Sequence, residues 1–173
     1  MKVYKALLIG SVLGTISMPT VMADMYNNVD LGTDNTVVAN TSANVAVGNM
    51  NTTDIWGIAV GSNNTAKLGT IAVGRDNTGD DNQVIIGTNN TATGPRHRQS
   101  SGTGNFVAGD HNVVEGDSSI VIGRYNRAIS EYALQPITVI GNSSTAKSNG
   151  IVIGSASEAD AGNIAIGNNV RAI

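Results

Sequence analysis

An apolar triplet followed by glycine recurs along this chain at a nearly constant spacing. It reads Val45-Ala46-Val47-Gly48, Ile58-Ala59-Val60-Gly61, Ile71-Ala72-Val73-Gly74, Val84-Ile85-Ile86-Gly87 and Phe106-Val107-Ala108-Gly109. It continues as Ile120-Val121-Ile122-Gly123, Thr138-Val139-Ile140-Gly141, Ile151-Val152-Ile153-Gly154 and Ile164-Ala165-Ile166-Gly167. Successive glycines stand 13, 13, 13, 22, 14, 18, 13 and 13 residues apart. A fixed short period marks a stack of like units. Two further columns keep the register. Five residues after each glycine stands Thr53, Ala66, Gly79, Ala92, Val114, Ala128, Ala146, Ala159 or Ala172, and three residues after it Asn recurs as Asn51, Asn64, Asn77, Asn90, Asn112 and Asn126. A weaker first turn, Leu31-Gly32 with Asn35 and Val37, carries Asp30 inside its triplet, as suits a terminal turn facing water.

Thirteen residues are too few for a helix pair and too many for one hairpin arm. The period predicts a coil of two short strands and two bends: the triplet forms one strand, and the next begins near the small-residue column. Glycine supplies positive φ, or close backbone approach, at the bend after the triplet. Coils stacked about 4.8 Å apart predict an all-β parallel roll of about ten coils, on the order of 45 Å long. The Asn column then reads either as a ladder of side-chain amides or as Asn tolerating a turn.

The triplet also bears on assembly. Neighbouring strand residues point to opposite faces, so a roll with one wet face alternates apolar and polar. Here the middle position is apolar as well: Ala46, Ala59, Ala72, Ile85, Val107, Val121, Val139, Val152 and Ala165. Both faces are therefore expected to be dry, one against the roll's own interior and the other against a partner. These nine residues are candidates for the core or for an oligomer interface. A lone chain would expose a continuous Ala/Val/Ile stripe.

The stretches Asn163-Ile164-Ala165-Ile166-Gly167-Asn168-Asn169-Val170-Arg171-Ala172 and Ser119-Ile120-Val121-Ile122-Gly123 share one pattern. It is Asn or Ser, an apolar triplet with a small or β-branched centre, Gly and, in the first, a downstream Ala. In this the chain resembles the head repeats of YadA-like trimeric autotransporter adhesins, from Gly32 to Ala172. The resemblance implies a left-handed β-roll and a homotrimer. It also implies a non-enzymatic head that binds an extracellular matrix protein or another cell-surface ligand. Longer members of that family continue into a neck, a coiled-coil stalk and a membrane barrel. Neither heptads nor barrel strands follow Ala172, so a secreted head is expected, or a surface-attached one if the head belongs to a longer chain.

Composition refines this. Lys2 and Lys5, the interrupted apolar run from Ala6 to Ile16, and Val21-Met22-Ala23 read as a secretory signal over residues 1–23, leaving 24–173 as the head. That run is too short to span a bilayer of about 30 Å, and no second one exists, so no direct membrane span is expected. Without Lys2 and Lys5, eight basic side chains face thirteen acidic ones, a net charge of −5 that argues against nucleic acid as the partner. There is no cysteine, hence no disulfide framework. Twenty-one glycines and 3% aromatic residues, set among regular Val, Ile and Thr, predict a thin ordered core rather than disorder.

Candidate chemistry is sparse. His97 and His111 lack ligand-type partners at a recognisable spacing, and no nucleophile stands with a base, so neither metal, cofactor nor enzyme activity is expected. The long interval holds an insertion near 94–104, and Pro95-Arg96-His97-Arg98 concentrates positive charge there. Arg96, His97 and Arg98 are candidate ligand-binding residues, or simply a solvated insertion. A second excess near 129–136, including Tyr132, has the same two readings, and Trp56 reads as packing. Thr36, Thr52, Thr65, Thr78 and Thr91, each four residues after a glycine, form a partial ladder. It supports the competing expectation of a secreted structural or ice-binding β-solenoid, although Val113, Arg127 and Glu158 break it.

Overall fold

The computed structural model describes residues 20–23, 28–38, 43–94, 104–130 and 135–173. Longer strands such as Ile58–Ser62 alternate along the chain with shorter ones such as Thr65–Lys67. The longer strands build an 11-stranded sheet and the shorter ones a 10-stranded sheet, and no helix occurs among the described residues. Each strand pairs in parallel with its counterparts one coil away. Ala59 lies between Ala46 and Ala72, and Ala66 between Thr53 and Gly79. The protein is thus an all-β parallel solenoid of ten coils. Among the described residues one pairing is antiparallel: Thr20–Ala23, within the expected signal segment, runs along Val29–Thr33 with Val21 opposite Leu31.

The bend after the triplet explains its glycine twice over. Gly61 has φ 123°, and a β-carbon there would lie 1.9 Å from the carbonyl oxygen of Gly74 in the next coil. Conformation and close approach therefore both exclude a side chain. Two residues on, the backbone again enters the left-handed region, as at Asn63, Asp76 and Asn89 with φ of 55°, 55° and 52°. The coil turns its corner through these two positions.

The Asn column that follows is a ladder. Asn64 Nδ2 donates to Asn51 Oδ1 at 3.1 Å and to the Gly74 carbonyl at 2.9 Å. Its Oδ1 accepts from the Asn77 backbone N–H at 3.2 Å and from Asn77 Nδ2 at 3.0 Å. One buried amide therefore ties three coils together and leaves no donor or acceptor wasted, which is the condition for burying it without penalty. The last coils keep part of the scheme with Ser157, whose Oγ donates to the Gly167 carbonyl and accepts from the Val170 N–H.

A second polar wall runs along the residues just before the triplets. Asn44 Oδ1 accepts from the Gly57 N–H at 2.9 Å, Gln83 Oε1 from Asn105 at 2.9 Å, and Asn105 Oδ1 from Ser119 at 2.8 Å. All three acceptor side chains are buried. Between the two walls lies a core one side chain thick on each side. Middle residues of the triplets meet the small-residue column, and both are removed from water. The insertions disturb neither sheet. Ile85 pairs with Val107 and Ala92 with Val114 across the first, and Val121 with Val139 and Ala128 with Ala146 across the second.

Candidate interaction surface

The corner geometry decides which way each triplet faces. Ala46, Ala59, Ala72, Ile85, Val107, Val121, Val139, Val152 and Ala165 all point into the roll, each 0% exposed. Of their two sequence-level readings, the described chain places them in its own core. The first and third triplet residues point outward instead. Ile86, immediately after buried Ile85, is 46% exposed, and Ile120 and Ile122 flank buried Val121 in the same way. Two outward columns result, running through Ile58, Ile71, Val84, Phe106, Ile120, Thr138, Ile151 and Ile164 and through Val60, Val73, Ile86, Ala108, Ile122, Ile140, Ile153 and Ile166. Nearly every member is apolar, and several large ones are exposed. A contiguous apolar face of this extent is a mark of association.

The outer face of the short-strand sheet is different. Thr52, Thr65, Thr78 and Thr91 stack in register with Thr36, but the neighbouring outward column reads Asp54, Lys67, Asp80. Opposite charges stand beside each other there, and the surface is polar. Toward the last coils, Lys147 Nζ meets Asp160 at 2.6 Å and Arg171 Nε meets Glu158 at 3.1 Å. The hydrogen bond that Lys147 donates to Asp160, and next the charge of that carboxylate, hold the Lys147 ammonium above the ordinary lysine pKa, against smaller opposing effects of desolvation and Arg171.

At the corner between the sheets, two rings come together that sequence inspection did not pair. His111 and Tyr125 each follow a coil glycine by two residues, and their ring centroids are 4.9 Å apart with planes at 32°. The Arg124 guanidinium lies over the Tyr125 ring, 5.6 Å from its centroid, and Asp110 Oδ1 holds His111 Nδ1 at 2.7 Å. Alignment on the glycines would have found this pair, because equal offsets place residues side by side in a solenoid. Arg96, His97 and Arg98 lie outside the described residues, as does Tyr132. Trp56 is 60% exposed and so stands on the surface, contrary to the packing role expected of it.

No group of three or more His, Cys, Asp or Glu that could hold a metal ion occurs among the described residues. Among the described residues no helix is long and apolar enough to cross a membrane. Fold and surface together define a parallel β-solenoid with one apolar and one polar outer face. Comparison with protein-family models, with curated proteins and with solved structures finds no match to the chain.

Proposed function

We propose that this chain is an exported, non-enzymatic adhesin head of the YadA-like kind, assembling as a homotrimer and presenting its polar faces and inserted loops to matrix or cell-surface ligands. The observation that carries the reading is the outward apolar face of the long-strand sheet. Its two columns repeat with the coil spacing, so a second copy of the same chain is the partner whose columns match along the whole length. A partner of unrelated shape would need an equally long, flat, β-branched surface. Burying such a face is worth about 25 cal/mol for each Å² of apolar surface removed from water.

The test is sedimentation of the full chain beside Ile122→Asp and Ile140→Asp. Both isoleucines face outward, so a carboxylate there leaves a single coil stack intact but places charge in an interface. The expected result is a mass three times that of one chain, reduced to a single chain in the variants. A native single-chain mass, or variants that remain assembled, would overturn the assembly.

The Thr column of the short-strand sheet favours a second reading, a structural or ice-binding solenoid. Asp54, Lys67 and Asp80 stand beside it, and their hydrated charges interrupt the flat hydroxyl-methyl surface that ice requires. Thermal hysteresis at millimolar protein would favour this second reading.

A further inference from the structure

Every coil corner places one residue in the left-handed region two positions after its glycine. Asp34, Asn63, Asp76, Asn89 and Asn169 occupy it in five coils, residue types for which that conformation is least unfavourable. Tyr125 occupies it with φ 56° and His111 with φ 53°. A bulky aromatic residue in that conformation is strained, and the strain is not offset by burial, because Tyr125 is 53% exposed. Asn or Asp fills half of these ten corners, and Met50, Ser143 and Ala156 fill three more, so a ring at this position is a departure that the turn does not require.

The surroundings indicate what the ring does. Asp110 is engaged by His111 and makes no ion pair within 4.0 Å with its register neighbour Arg124. The Arg124 guanidinium has no carboxylate partner within 4.0 Å among the described residues and sits over the Tyr125 face. Asn142 and Ser143, the next residues along the ridge, are short polar side chains. The ridge therefore combines an aromatic platform, an unpaired planar cation and flanking hydrogen-bonding groups.

We propose that this ridge binds a sugar unit bearing a carboxylate, with an apolar C–H face of the pyranose on the part of the Tyr125 ring that His111 and Arg124 leave exposed, and the carboxylate on Arg124. The negative face of an aromatic ring attracts the weakly positive C–H edges of a pyranose, and the guanidinium fork matches a carboxylate in two hydrogen bonds. Asp110, the register neighbour of Arg124, adds negative charge beside it, which disfavours a dense polyanion such as a heavily sulfated chain and leaves a single acidic group as the better fit. The inference rests on the reading of the chain as a ligand-presenting head, but it uses residues of one protomer.

The test is saturation-transfer NMR and calorimetry on the full chain. The probes are 3′-sialyllactose and digalacturonate as two carboxylate sources, lactose as the neutral control, and lactose 6-sulfate as the sulfated one. At least one carboxylated probe should bind about tenfold or more tightly than lactose and lactose 6-sulfate. Equal binding, no binding or preference for the sulfate overturns the proposal. Arg124→Ser adopts the residue that Ser62 and Ser155 already place at that corner, and it should lose about tenfold in affinity. Tyr125→Asn should abolish binding while leaving Tm equal or higher, since Asn suits the backbone. A fall in Tm would make the ring part of the scaffold and overturn its binding role. Sedimentation of the same samples separates the two ideas. A single chain that binds sinks only the assembly, and a trimer that does not bind sinks only this site.

Discussion

A β-carbon on Gly79 would stand 2.7 Å from Ile85 Cδ1, closer than packed carbons come. Gly79 sits in the column that is Ala at Ala66 and Ala92, and no left-handed φ demands glycine there. Its absent side chain is matched instead to the larger triplet residue across the core, where earlier coils place Ala59 and Ala72. Small and large residues are thus exchanged between facing columns so that the thin core stays filled.

That relationship predicts coupled mutations. Gly79→Ala alone should lose about 1–3 kcal/mol through overpacking, with Thr70 Cγ2 also in the way at 2.5 Å from the new carbon. Ile85→Ala alone should lose about 2–5 kcal/mol through the cavity it opens. The double variant should recover part of both losses. Urea unfolding of the four proteins gives the coupling energy, and strict additivity would refute the pairing.

The amide ladder predicts a graded series at Asn77. Asn77→Ala strips the Asn90 N–H of its acceptor and the Gly87 carbonyl of its donor, both inside the roll. Each group left unsatisfied costs about 1–3 kcal/mol. Asn77→Ser should cost less, because Ser157 already makes the two equivalent bonds to its own neighbours. Equal destabilisation by the two variants, read from denaturant midpoints, would contradict this account.

Thr53 offers a gain. It lies in the small-residue column, fully buried, and its Oγ1 has no hydrogen-bond partner among the described residues. Thr53→Val keeps the shape and replaces the stranded hydroxyl with a methyl group, so Tm should rise, by an amount reflecting about 1 kcal/mol. A lower Tm would mean that the hydroxyl finds a partner in solution.

Lys147 gives the chain a feature at alkaline pH. Its folded pKa is raised by Asp160, so the associated stability is present in full below the ordinary lysine value of 10.5 and is lost as pH climbs through the raised one. Asp160→Asn should bring the lysine titration back toward the ordinary value and flatten that part of the alkaline stability profile. NMR titration of the Lys147 ε-methylene protons reads this directly, and an unchanged midpoint in the variant would exclude Asp160 as the cause.

Much of this architecture was legible in the chain because a solenoid repeats one environment every coil. The columns at Gly61, Asn64 and Ala66 recur at the period with which their coils stack, and like residues end up beside like. The wall formed by Asn44, Gln83 and Asn105 was less visible, because its residue types vary while their oxygen atoms do the same work. The His111–Tyr125 ridge was also hidden, since its members are 14 residues apart and only stacking makes them neighbours.

The amino-acid order by itself determined the period, the two strands of each coil and the small size of the core, because each follows from spacing and side-chain volume. It did not decide which face of a triplet such as Val84-Ile85-Ile86 turns inward, since all three residues are apolar and alternation alone allows either face. The tertiary structure decided it through the corner. Backbone turning at Gly87 and Asn89 aims Ile85 at the opposite sheet, and the strand's pleat then sends Val84 and Ile86 outward.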